Sequence, residues 1–299
     1  MSVKKALILG STGQVGVELR RSFASYGEIV ACDRSRVDLT HPRQAVALIE
    51  QEHPSVVLLA AAYTAVDKAE SEPALAMAIN AEAPGIIARI CAEQDVLFVS
   101  YSTDYVFDGK KREPWVENDE PHPLNEYGRS KLEGERHIQQ EGGRYLIFRT
   151  SWVYGPHGKN FFLTMLRLGK ERNQLGIVAD QTGSPTSSIV IADATRTVVD
   201  RFESATEEEA AAQRGVYHMT CAGSTTWHGF AHHIFAECGG LLDGRQPEVR
   251  PLKSEEYPTP AARPKNSVLS PKKLARVFDV CLPTWQDAFA AVRSRCISS

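Results

Sequence analysis

A regular alternation of apolar runs and helical stretches in the first half of the chain is the feature that most constrains its fold. Five short apolar runs have the length and composition of strands: ALILG, EIVACD, SVVLLAAA, VLFVSYS and RYLIFRTSW. SVVLLAAA is apolar throughout, which is typical of a strand covered on both faces. Stretches with helical spacing separate these runs, so the pattern predicts a doubly wound α/β fold with a parallel sheet between two layers of helices.

The pattern loosens after residue 150, which predicts a second, smaller unit. NFFLTMLRLGKERN and IVIADATRTVVDRF keep helical spacing and LGIVADQ is strand-like, whereas proline and polar residues become frequent beyond residue 215. We expect a Rossmann-like nucleotide-binding domain of residues 1–150 plus roughly 176–205. The smaller C-terminal α/β domain, comprising roughly 151–175 and 206–299, would bind the substrate.

Two local features predict interruptions of the helices. Pro84, inside PALAMAINAEAPGIIARICAEQD, should force a break or a fresh start, because proline has no backbone N–H to donate. The acidic, alanine-rich stretch at 203–215 is expected to form a solvated helix end or loop.

Composition and charge exclude several classes of protein. Among 299 residues, 34 are Lys or Arg and 37 are Asp or Glu, so no strong field favours nucleic acid or an anionic membrane. The apolar run at the N-terminus is too short for a signal peptide, and no stretch approaches the ~18–20 apolar residues that span a bilayer. The six cysteines are scattered without a CxxC pair, which predicts a reducing cytoplasm and neither disulfides nor a zinc site. His232 and His233 near Cys238 have the wrong spacing for a metal site.

A glycine-rich turn follows the first strand and opens the first helix. Gly10 would permit the tight turn, Gly13 would let the backbone approach a pyrophosphate, and Gly16 would let the helix pack closely on the sheet. A helix N-terminus supplies free amides for phosphates. Asp33, at the end of the second strand, is placed to accept hydrogen bonds from an adenosine ribose, whereas Arg34 could receive a 2′-phosphate. The turn therefore predicts NADH or NADPH without deciding between them, and a purely structural turn is the alternative.

A tyrosine and a lysine four residues apart share one face of the predicted helix at 126–141. With the GxxGxxG spacing, Tyr127 and Lys131 resemble the catalytic pair of the extended short-chain dehydrogenase/reductase superfamily. There a Ser or Thr at the end of the fourth strand completes the site, and this chain offers Ser102, Thr103 and Asp104. Reducing a ketone needs a hydride on carbon and a proton on oxygen. A neighbouring ammonium group and a nicotinamide cation should lower the pKa of a phenol, which is ordinarily ~10.

Five segments narrow the resemblance, and they cover nearly the whole chain in the family's order. AAAYTAVDKAE, YSTDYVFDG, RTSWVYGPHGKNFFLTML, DQTGSPT and YPTPAARPKNSVL resemble the dTDP-4-dehydrorhamnose reductase family. This resemblance implies NAD(P)H-dependent reduction of the C4 keto group of dTDP-4-dehydro-β-L-rhamnose to dTDP-L-rhamnose. That reaction is the last step in making the rhamnose donor for bacterial surface polysaccharides.

The resemblance and the glycine turn together imply three sets of site residues. The catalytic residues are Thr103, Tyr127 and Lys131. The cofactor-binding residues are Gly10, Thr12, Gly13, Gln14, Val15, Gly16, Asp33, Arg34, Asp38, Leu39, Ala60, Ala61, Ala62, Tyr63, Thr64, Ser102, Tyr127 and Lys131. The substrate-binding residues are Thr103, Asp104, Tyr127, Trp152, Asn160 and Arg263. A tryptophan is also a common core residue, and the segment around Arg263 could be a surface turn.

Other polar residues have open roles. The charged pairs Asp67–Lys68 and Glu70–Glu72 are either functional or an ordinary helix start. Asn80 would either brace the loop after the fourth strand or be a buried, satisfied amide.

One position departs from the family pattern. Some members dimerise around magnesium held by glutamates. Glu18 matches one such position, but the other is Ile189, which cannot bind magnesium. We therefore expect no metal, and a homodimer would have to form through another surface.

Two alternatives stay open. A related reductase or epimerase could act on another nucleotide-linked 6-deoxy sugar, and an epimerase would show no net consumption of NADPH. A non-catalytic module is the other, because the regulatory subunit of methionine adenosyltransferase shares a similar DYVFDG segment. The combination of Thr103, Tyr127 and Lys131 argues against that module, since binding alone gives no reason to keep such a phenol.

Overall fold

The computed structural model describes residues 4–242 and 244–297. Its strands, in chain order, are β1 (Lys5–Leu9), β2 (Glu28–Cys32), β3 (Val56–Leu59), β4 (Leu97–Thr103), β5 (Tyr145–Thr150), β6 (Val153–Tyr154), β7 (Gln174–Val178), β8 (Thr182–Gly183), β9 (Thr186–Ser187), β10 (Gly215–His218), β11 (Thr225–Thr226) and β12 (Glu248–Leu252). Its α-helices are α1 (Gln14–Ser22), α2 (Arg43–Glu52), α3 (Val66–Ala69), α4 (Pro73–Met77), α5 (Ala83–Glu93), α6 (Glu126–Glu141), α7 (Phe161–Glu171), α8 (Ser188–Ser204), α9 (Glu207–Gln213), α10 (Trp227–Glu237), α11 (Lys272–Phe278) and α12 (Trp285–Ile297).

The central sheet confirms the predicted doubly wound α/β fold. Its strands run in parallel in the order β10-β5-β4-β3-β1-β2. The order reverses direction beside β1 and β3, so the ends of these strands open a crevice at the carboxyl edge. Each of the five predicted strands is present. The sixth strand, β10, comes from the part of the chain beyond residue 206.

Side chains alternate between two layers of the first core, one on each face of the sheet. Ala6 and Ile8 of β1 face a layer that includes Phe23 and Phe202, next to α1 and α8. Leu7 and Leu9 face the other layer, which includes side chains of α2 and α5. Because successive residues of a strand point to opposite faces, burial on both faces requires the continuous apolar runs seen in the sequence.

The long helix after β3 passes through an irregular turn instead of breaking. α4 and α5 are joined by a π-helical turn, Ala78–Glu82. Pro84 directly follows this π-helical turn, and the residues before it keep helical backbone angles. The helix therefore continues through the proline, and its irregularity is the π-helical turn rather than the predicted break or fresh start.

This helix also corrects an expectation about membrane spans. Pro73–Glu93 is long and apolar enough, with a mean hydropathy of 1.3, to meet a length and composition criterion for crossing a membrane. In this structure 56% of its most apolar window is buried inside the protein. Its apolar character is therefore accounted for by packing, with Ile87 and Cys91 in the core on one face of the sheet.

A second core lies beyond the carboxyl edge of the sheet and includes α7, α10 and α12. Tyr154, Phe162, Phe230 and Phe289 are buried there, with ring centroids 5.1–6.2 Å apart. Short strand pairs β6–β9, β7–β12 and β8–β11 surround it.

The division into two domains stays a prediction, with two changes that the strand pairing requires. β7 was expected in the nucleotide-binding domain but pairs with β12. β10 was expected in the substrate-binding domain but pairs with β5 in the central sheet. The acidic stretch forms the end of α8 and the short helix α9, which Thr206 and Glu209 cap reciprocally.

Candidate active site

A cleft of about 590 Å³ opens at the carboxyl edge of the central sheet. It lies where the strand order reverses, which is the usual ligand position in open α/β sheets. Most of the predicted cofactor-binding residues line it, namely Gly10, Thr12, Gly13, Gln14, Val15, Arg34, Asp38, Leu39, Ala60, Ala61, Ala62, Tyr63, Thr64, Ser102, Tyr127 and Lys131. Asp33 and Gly16 are not among its lining residues.

The glycine turn fits a pyrophosphate at one end of this cleft. Gly10 has a φ of +88°, and a Cβ there would lie 2.6 Å from the backbone N of Ala61. A Cβ on Gly16 would lie 2.1 Å from the carbonyl oxygen of Gly10, so Gly16 allows α1 to pack against the turn. Gly13 caps α1 without a side-chain hydrogen bond. The first-turn amides of α1 are therefore directed at the cleft with the positive end of the helix dipole.

Two charged residues after β2 have different roles: Asp33 stabilises a turn, whereas the side chain of Arg34 is exposed to solvent. Asp33 Oδ1 accepts hydrogen bonds from the backbone N of Ser35 at 2.9 Å and of Arg36 at 3.3 Å, so it stabilises the turn. The Arg34 side chain is 78% exposed and contacts Asp38 at 3.3 Å. Hydrogen bonds from Thr40, together with Arg34, lower the pKa of Asp38.

Asn80 connects the loop after β3 to the helix that carries the tyrosine and lysine. Its Oδ1 accepts from the Tyr63 N–H at 2.8 Å, and its Nδ2 donates to the Tyr63 carbonyl and to Ser130 Oγ, each at 3.0 Å. The expected brace therefore acts on the loop after β3, and not on the loop after the fourth strand.

The charged segment that follows β3 is also engaged with the site. The Tyr63 phenol donates to Glu72 at 2.5 Å, and Glu70 accepts from the backbone N of Glu126 at 2.8 Å, where α6 begins. Asp67 binds Arg263. These carboxylates hold three segments of the site, which is more than an ordinary charged helix start.

Close packing sets the position of α6. Asn125 caps the helix by accepting from the Gly128 N–H at 2.8 Å. A Cβ on Gly128 would lie 2.3 Å from the Tyr105 carbonyl oxygen, so a glycine lets the helix approach the end of β4. As a result, Tyr127 and Lys131 both reach the cleft, as their spacing predicts.

Burial controls the ionisation of Tyr127. It raises the pKa of Tyr127 to about 12, and the opposing effect comes from the Thr103 hydroxyl. The pKa of the phenol is thus raised in the protein alone, whereas the sequence predicts that Lys131 and a bound nicotinamide together lower it. A neutral phenol at physiological pH is the form that can donate a proton.

Lys131 is a buried cation whose charge faces the cleft. Burial lowers its pKa to about 8, and the nearby Glu135 opposes this. Within the described residues, its ammonium group donates no hydrogen bond. Its N–H groups are therefore available to a bound molecule.

Thr103 and Asp104 lie directly beside the phenol at the end of β4. Thr103 Oγ1 accepts from the Tyr105 N–H and donates to Asp104 Oδ1, both at 3.1 Å. Asp104 Oδ2 is buried without a hydrogen-bond partner within the described residues. Burial raises the pKa of Asp104 to about 7.

Trp152 is partly exposed and stacks on a second tryptophan. Its indole lies on that of Trp227, with ring centroids 3.6 Å apart and planes 6° apart. Its φ is +47°, a left-handed conformation that is costly for a bulky residue. A Cβ on Gly183 would lie 2.4 Å from the Trp152 ring, so a glycine at 183 makes room for this stack.

Asn160 and Arg263 are also bound to other parts of the chain. Asn160 caps α7 and donates to Gln14 Oε1 at 2.9 Å, which places it beside the glycine turn. Arg263 forms a two-point ion pair with Asp67, at 3.1 and 2.9 Å. Both side chains would have to exchange contacts to bind a diphosphate.

No group of three or more His, Cys, Asp or Glu residues that could hold a metal was found within the described ranges. Glu18 is buried and pairs with Arg21 and Arg295 at 2.8 and 2.9 Å. Ile189 lies in the second core. His233 packs against Trp285. A family-type magnesium bridge is therefore unsupported, and a homodimer stays a prediction.

Sequence reasoning missed several lining residues: Leu9, Val37, Ala65, Ile79, Tyr101, Thr150, Val153, Gly158 and Lys159. Thr150, at the end of β5, pairs in register with Thr103, and its hydroxyl is buried without a partner within the described residues. Its place at the carboxyl end of a parallel strand was the available signal. Gly158 and Lys159 had no local signal, because the fold brings their loop to Gln14.

The glycine turn after β1, the cleft at the carboxyl edge of the sheet and the Tyr–Lys pair on α6 together define an extended short-chain dehydrogenase/reductase. The family model "RmlD substrate binding domain" matches residues 4–297. The chain is 47% identical over 290 residues to the dTDP-4-dehydrorhamnose reductase of Burkholderia thailandensis, covering 95% of this chain and 96% of that protein. It is 43% identical to the Salmonella typhimurium enzyme of the same name, with 94% of each chain covered. The chain therefore belongs to the dTDP-4-dehydrorhamnose reductase family.

Solved structures agree in fold. The Bacillus anthracis dTDP-4-dehydrorhamnose reductase in complex with NADP superposes with a TM-score of 0.90 at 32% identity, covering 98% of this chain and 100% of that one. The Thermus thermophilus UDP-glucose 4-epimerase in complex with NAD has a TM-score of 0.75 at 20% identity, covering 99% of each chain, and shows the shared fold alone.

Proposed function

We propose that this protein reduces the C4 keto group of dTDP-4-dehydro-β-L-rhamnose to give dTDP-L-rhamnose, with NADPH or NADH as reductant. The observation that carries the proposal is the placement of Tyr127 and Lys131 on one face of α6, in the dinucleotide cleft and beside Thr103. Membership of the reductase family supports the choice of substrate.

The residues of the cleft fit a nicotinamide dinucleotide. The free amides at the start of α1 would hold the pyrophosphate. Lys131 would donate to the nicotinamide ribose, and Arg34 would bind a 2′-phosphate when one is present. The bound nicotinamide supplies the hydride.

Tyr127 would deliver the proton. As the sugar carbonyl becomes an alkoxide, its oxygen becomes far more basic than a phenolate, so a phenol with a pKa of about 12 can still donate to it. The Thr103 hydroxyl would hold the same oxygen in line. Asp104, with one free carboxyl oxygen, would bind a neighbouring sugar hydroxyl.

The two-part architecture supports this assignment of roles. We propose that the central sheet with α8 binds the cofactor, and that the second core with α7 and α10 carries the sugar-nucleotide side of the site. Trp152, Asn160 and Arg263 would contact the substrate from that side. Four of the cysteines are buried free thiols, which supports work in a reducing compartment such as the cytoplasm.

The direct test is oxidation of NADPH and of NADH in the presence of enzymatically generated dTDP-4-dehydrorhamnose, followed by identification of the product. Oxidation with formation of dTDP-rhamnose is the expected result. Cofactor binding without oxidation would favour another sugar nucleotide, an epimerase or a binding module. The ratio of the two rates would give the cofactor preference.

A further inference from the structure

A buried ion pair lies directly beneath the cofactor cleft. Glu135 is one helical turn after Lys131 on α6, and its side chain is 3% exposed. Arg149, in β5, donates from Nε to Glu135 Oε1 at 2.9 Å and from Nη2 to Oε2 at 2.6 Å. Ser102, in β4, donates its hydroxyl proton to the same carboxylate. One carboxylate therefore connects α6, β4 and β5 behind the site.

The hydrogen bond to Glu135 decides what Ser102 can offer to the cleft. A serine hydroxyl has one proton and two lone pairs. Because Glu135 takes the proton, the Ser102 oxygen can present only lone pairs to a bound molecule. Ser102 lines the cleft, so it acts there as an acceptor for a hydroxyl or an amide N–H.

Glu135 also acts on Lys131, which lines the cleft beside Ser102. Residues four apart on a helix are neighbours, and Glu135 is the acidic group whose charge favours the Lys131 ammonium form. The other titratable side chains that line the cleft near Lys131 are Tyr127 on α6, Tyr63 after β3 and Tyr101 on β4. Arg149 on β5 lies behind Glu135. 

Arg149 is the cation that compensates the buried carboxylate of Glu135. The fork of Arg149 occupies both carboxylate oxygens, and its guanidinium lies 5.1 Å from the ring centroid of Phe107. The Glu135 carboxylate is thus held in one position by Arg149 and Ser102, behind the side chains that line the cleft.

We propose that Glu135 is a positioning residue for cofactor binding, which fixes Ser102 as an acceptor and Lys131 as a charged donor. The two groups would meet the ribose hydroxyls and the carboxamide at the nicotinamide end of the cofactor. This inference rests on the proposed function only in requiring that the cleft binds a nicotinamide dinucleotide.

The test is the dissociation constant of NADPH as a function of pH, measured by the fluorescence of the bound cofactor, for the wild type and for Glu135→Gln. The affinity of the wild type should fall as Lys131 loses its proton at alkaline pH. In Glu135→Gln this fall should begin at lower pH, by on the order of one pH unit, because the neighbouring negative charge is gone. Glu133→Gln is the matched control, since Glu133 is on the same helix but exposed and paired with Arg136; it should leave the pH profile unchanged.

A second variant covers the case in which Glu135→Gln leaves Arg149 buried without its partner and does not fold. The double variant Glu135→Leu/Arg149→Met removes both buried charges, an exchange that proteins often tolerate. It should displace the pH profile in the same direction but by less, because the Arg149 cation is lost together with the Glu135 carboxylate. Ser102→Ala keeps both charges, so it should weaken NADPH binding severalfold without moving the profile.

Folded Glu135→Gln or the folded double variant with the wild-type pH profile would overturn the proposal for Lys131. Unchanged NADPH affinity in Ser102→Ala would overturn it for Ser102. Binding does not require turnover, so these results are separate from the test of the reaction. An enzyme that binds NADPH but does not reduce the sugar would refute the proposed function and leave this inference open to the same measurement.

Discussion

The residues proposed to bind the cofactor and those proposed to bind the substrate differ in how far their polar groups are already engaged. On the proposed cofactor side, the first-turn amides of α1 have no side-chain cap, and the Lys131 ammonium group donates no hydrogen bond within the described residues. On the proposed substrate side, outside the lining of the cleft, Asn160 is bound to Gln14, Arg263 to Asp67, and Trp152 is stacked on Trp227. Under the proposed function, the cofactor would meet groups that are already free, whereas the substrate would replace contacts that the protein makes with itself.

Removal of the proposed proton donor should have the largest effect on turnover. Tyr127 lies where the proposed cofactor and substrate sites meet, so this variant tests both. Tyr127→Phe deletes only the hydroxyl and should lower kcat by about 10²- to 10⁴-fold, with the Kd of NADPH nearly unchanged. Steady-state kinetics and a binding titration measure the two quantities. Tyr145→Phe, in β5 and half-buried away from the cleft, is the control. Near-normal turnover in Tyr127→Phe would refute the assignment.

The buried carboxyl on the substrate side should give the next largest effect. The pKa of Asp104 is raised from its ordinary value of 3.8 to about 7, so folding favours the neutral acid. The stability that this neutral form contributes is complete below pH ~4 and is lost as pH rises to about 7.

Asp104→Asn removes this dependence. Relative to the variant, the wild type should lose about 2–3 kcal/mol of unfolding free energy between pH 5 and pH 8. Denaturant unfolding at the two pH values measures the difference. If the difference in unfolding free energy between the wild type and Asp104→Asn were the same at both pH values, Asp104 would be ionised in the folded protein. Its carboxyl would then be hydrated, not desolvated.

Arg263 tests whether the substrate exchanges contacts with the protein. If Arg263 leaves Asp67 to bind the diphosphate, Arg263→Met should raise KM for the sugar nucleotide about 10- to 30-fold, because it loses a charge-assisted pair. Asp67→Asn keeps the guanidinium and should raise KM less. Arg250→Met, at an exposed pair with Glu248, is the control.

Equal increases in KM for the two variants would assign Arg263 a bracing role only. The ion pair would then hold the segment at 259–263, whose Ala261 N–H also donates to Asp67 at 3.2 Å. The contact of Arg263 with Asp67 would then no longer support the contrast between free cofactor-binding groups and engaged substrate-binding groups.

Replacement of Arg34 should give the smallest effect. It tests whether this residue binds the 2′-phosphate on the proposed cofactor side. Arg34→Met should raise the Kd of NADPH about five- to tenfold at low salt and leave the Kd of NADH unchanged, because only NADPH carries the 2′-phosphate. The difference should shrink as salt is added. Arg36→Met is the matched control, since Arg36 is next to the same turn but lies by Glu52 at 3.7 Å. An equal loss for both cofactors would place Arg34 elsewhere on the dinucleotide.

The local patterns predicted the fold around the cleft correctly. The five apolar runs became strands of the parallel sheet, and the glycine turn and the Tyr–Lys pair reached one cleft. These features depend on short-range periodicity and on backbone conformations that few residues can adopt, so nearby residues suffice to specify them.

The contacts around the residues proposed for the substrate could not be predicted from local patterns, because they join distant segments. The pairing of β7 with β12 brings together residues more than 70 positions apart. The bonds from Arg263 to Asp67 and from Asn160 to Gln14 cross 196 and 146 positions. No local pattern encodes such partners.

Local patterns specify the doubly wound sheet, the glycine turn and the side chains proposed for the proton chemistry. Which of these groups are free to bind, and in what protonation state, depends on how the chain packs. Burial is the largest cause of the raised pKa of Tyr127. Glu135, Arg149 and Ser102 meet only because β4, β5 and α6 pack together. The physical reason is that periodicity acts over a few residues, whereas desolvation and pairing of charges depend on everything that surrounds a group in space.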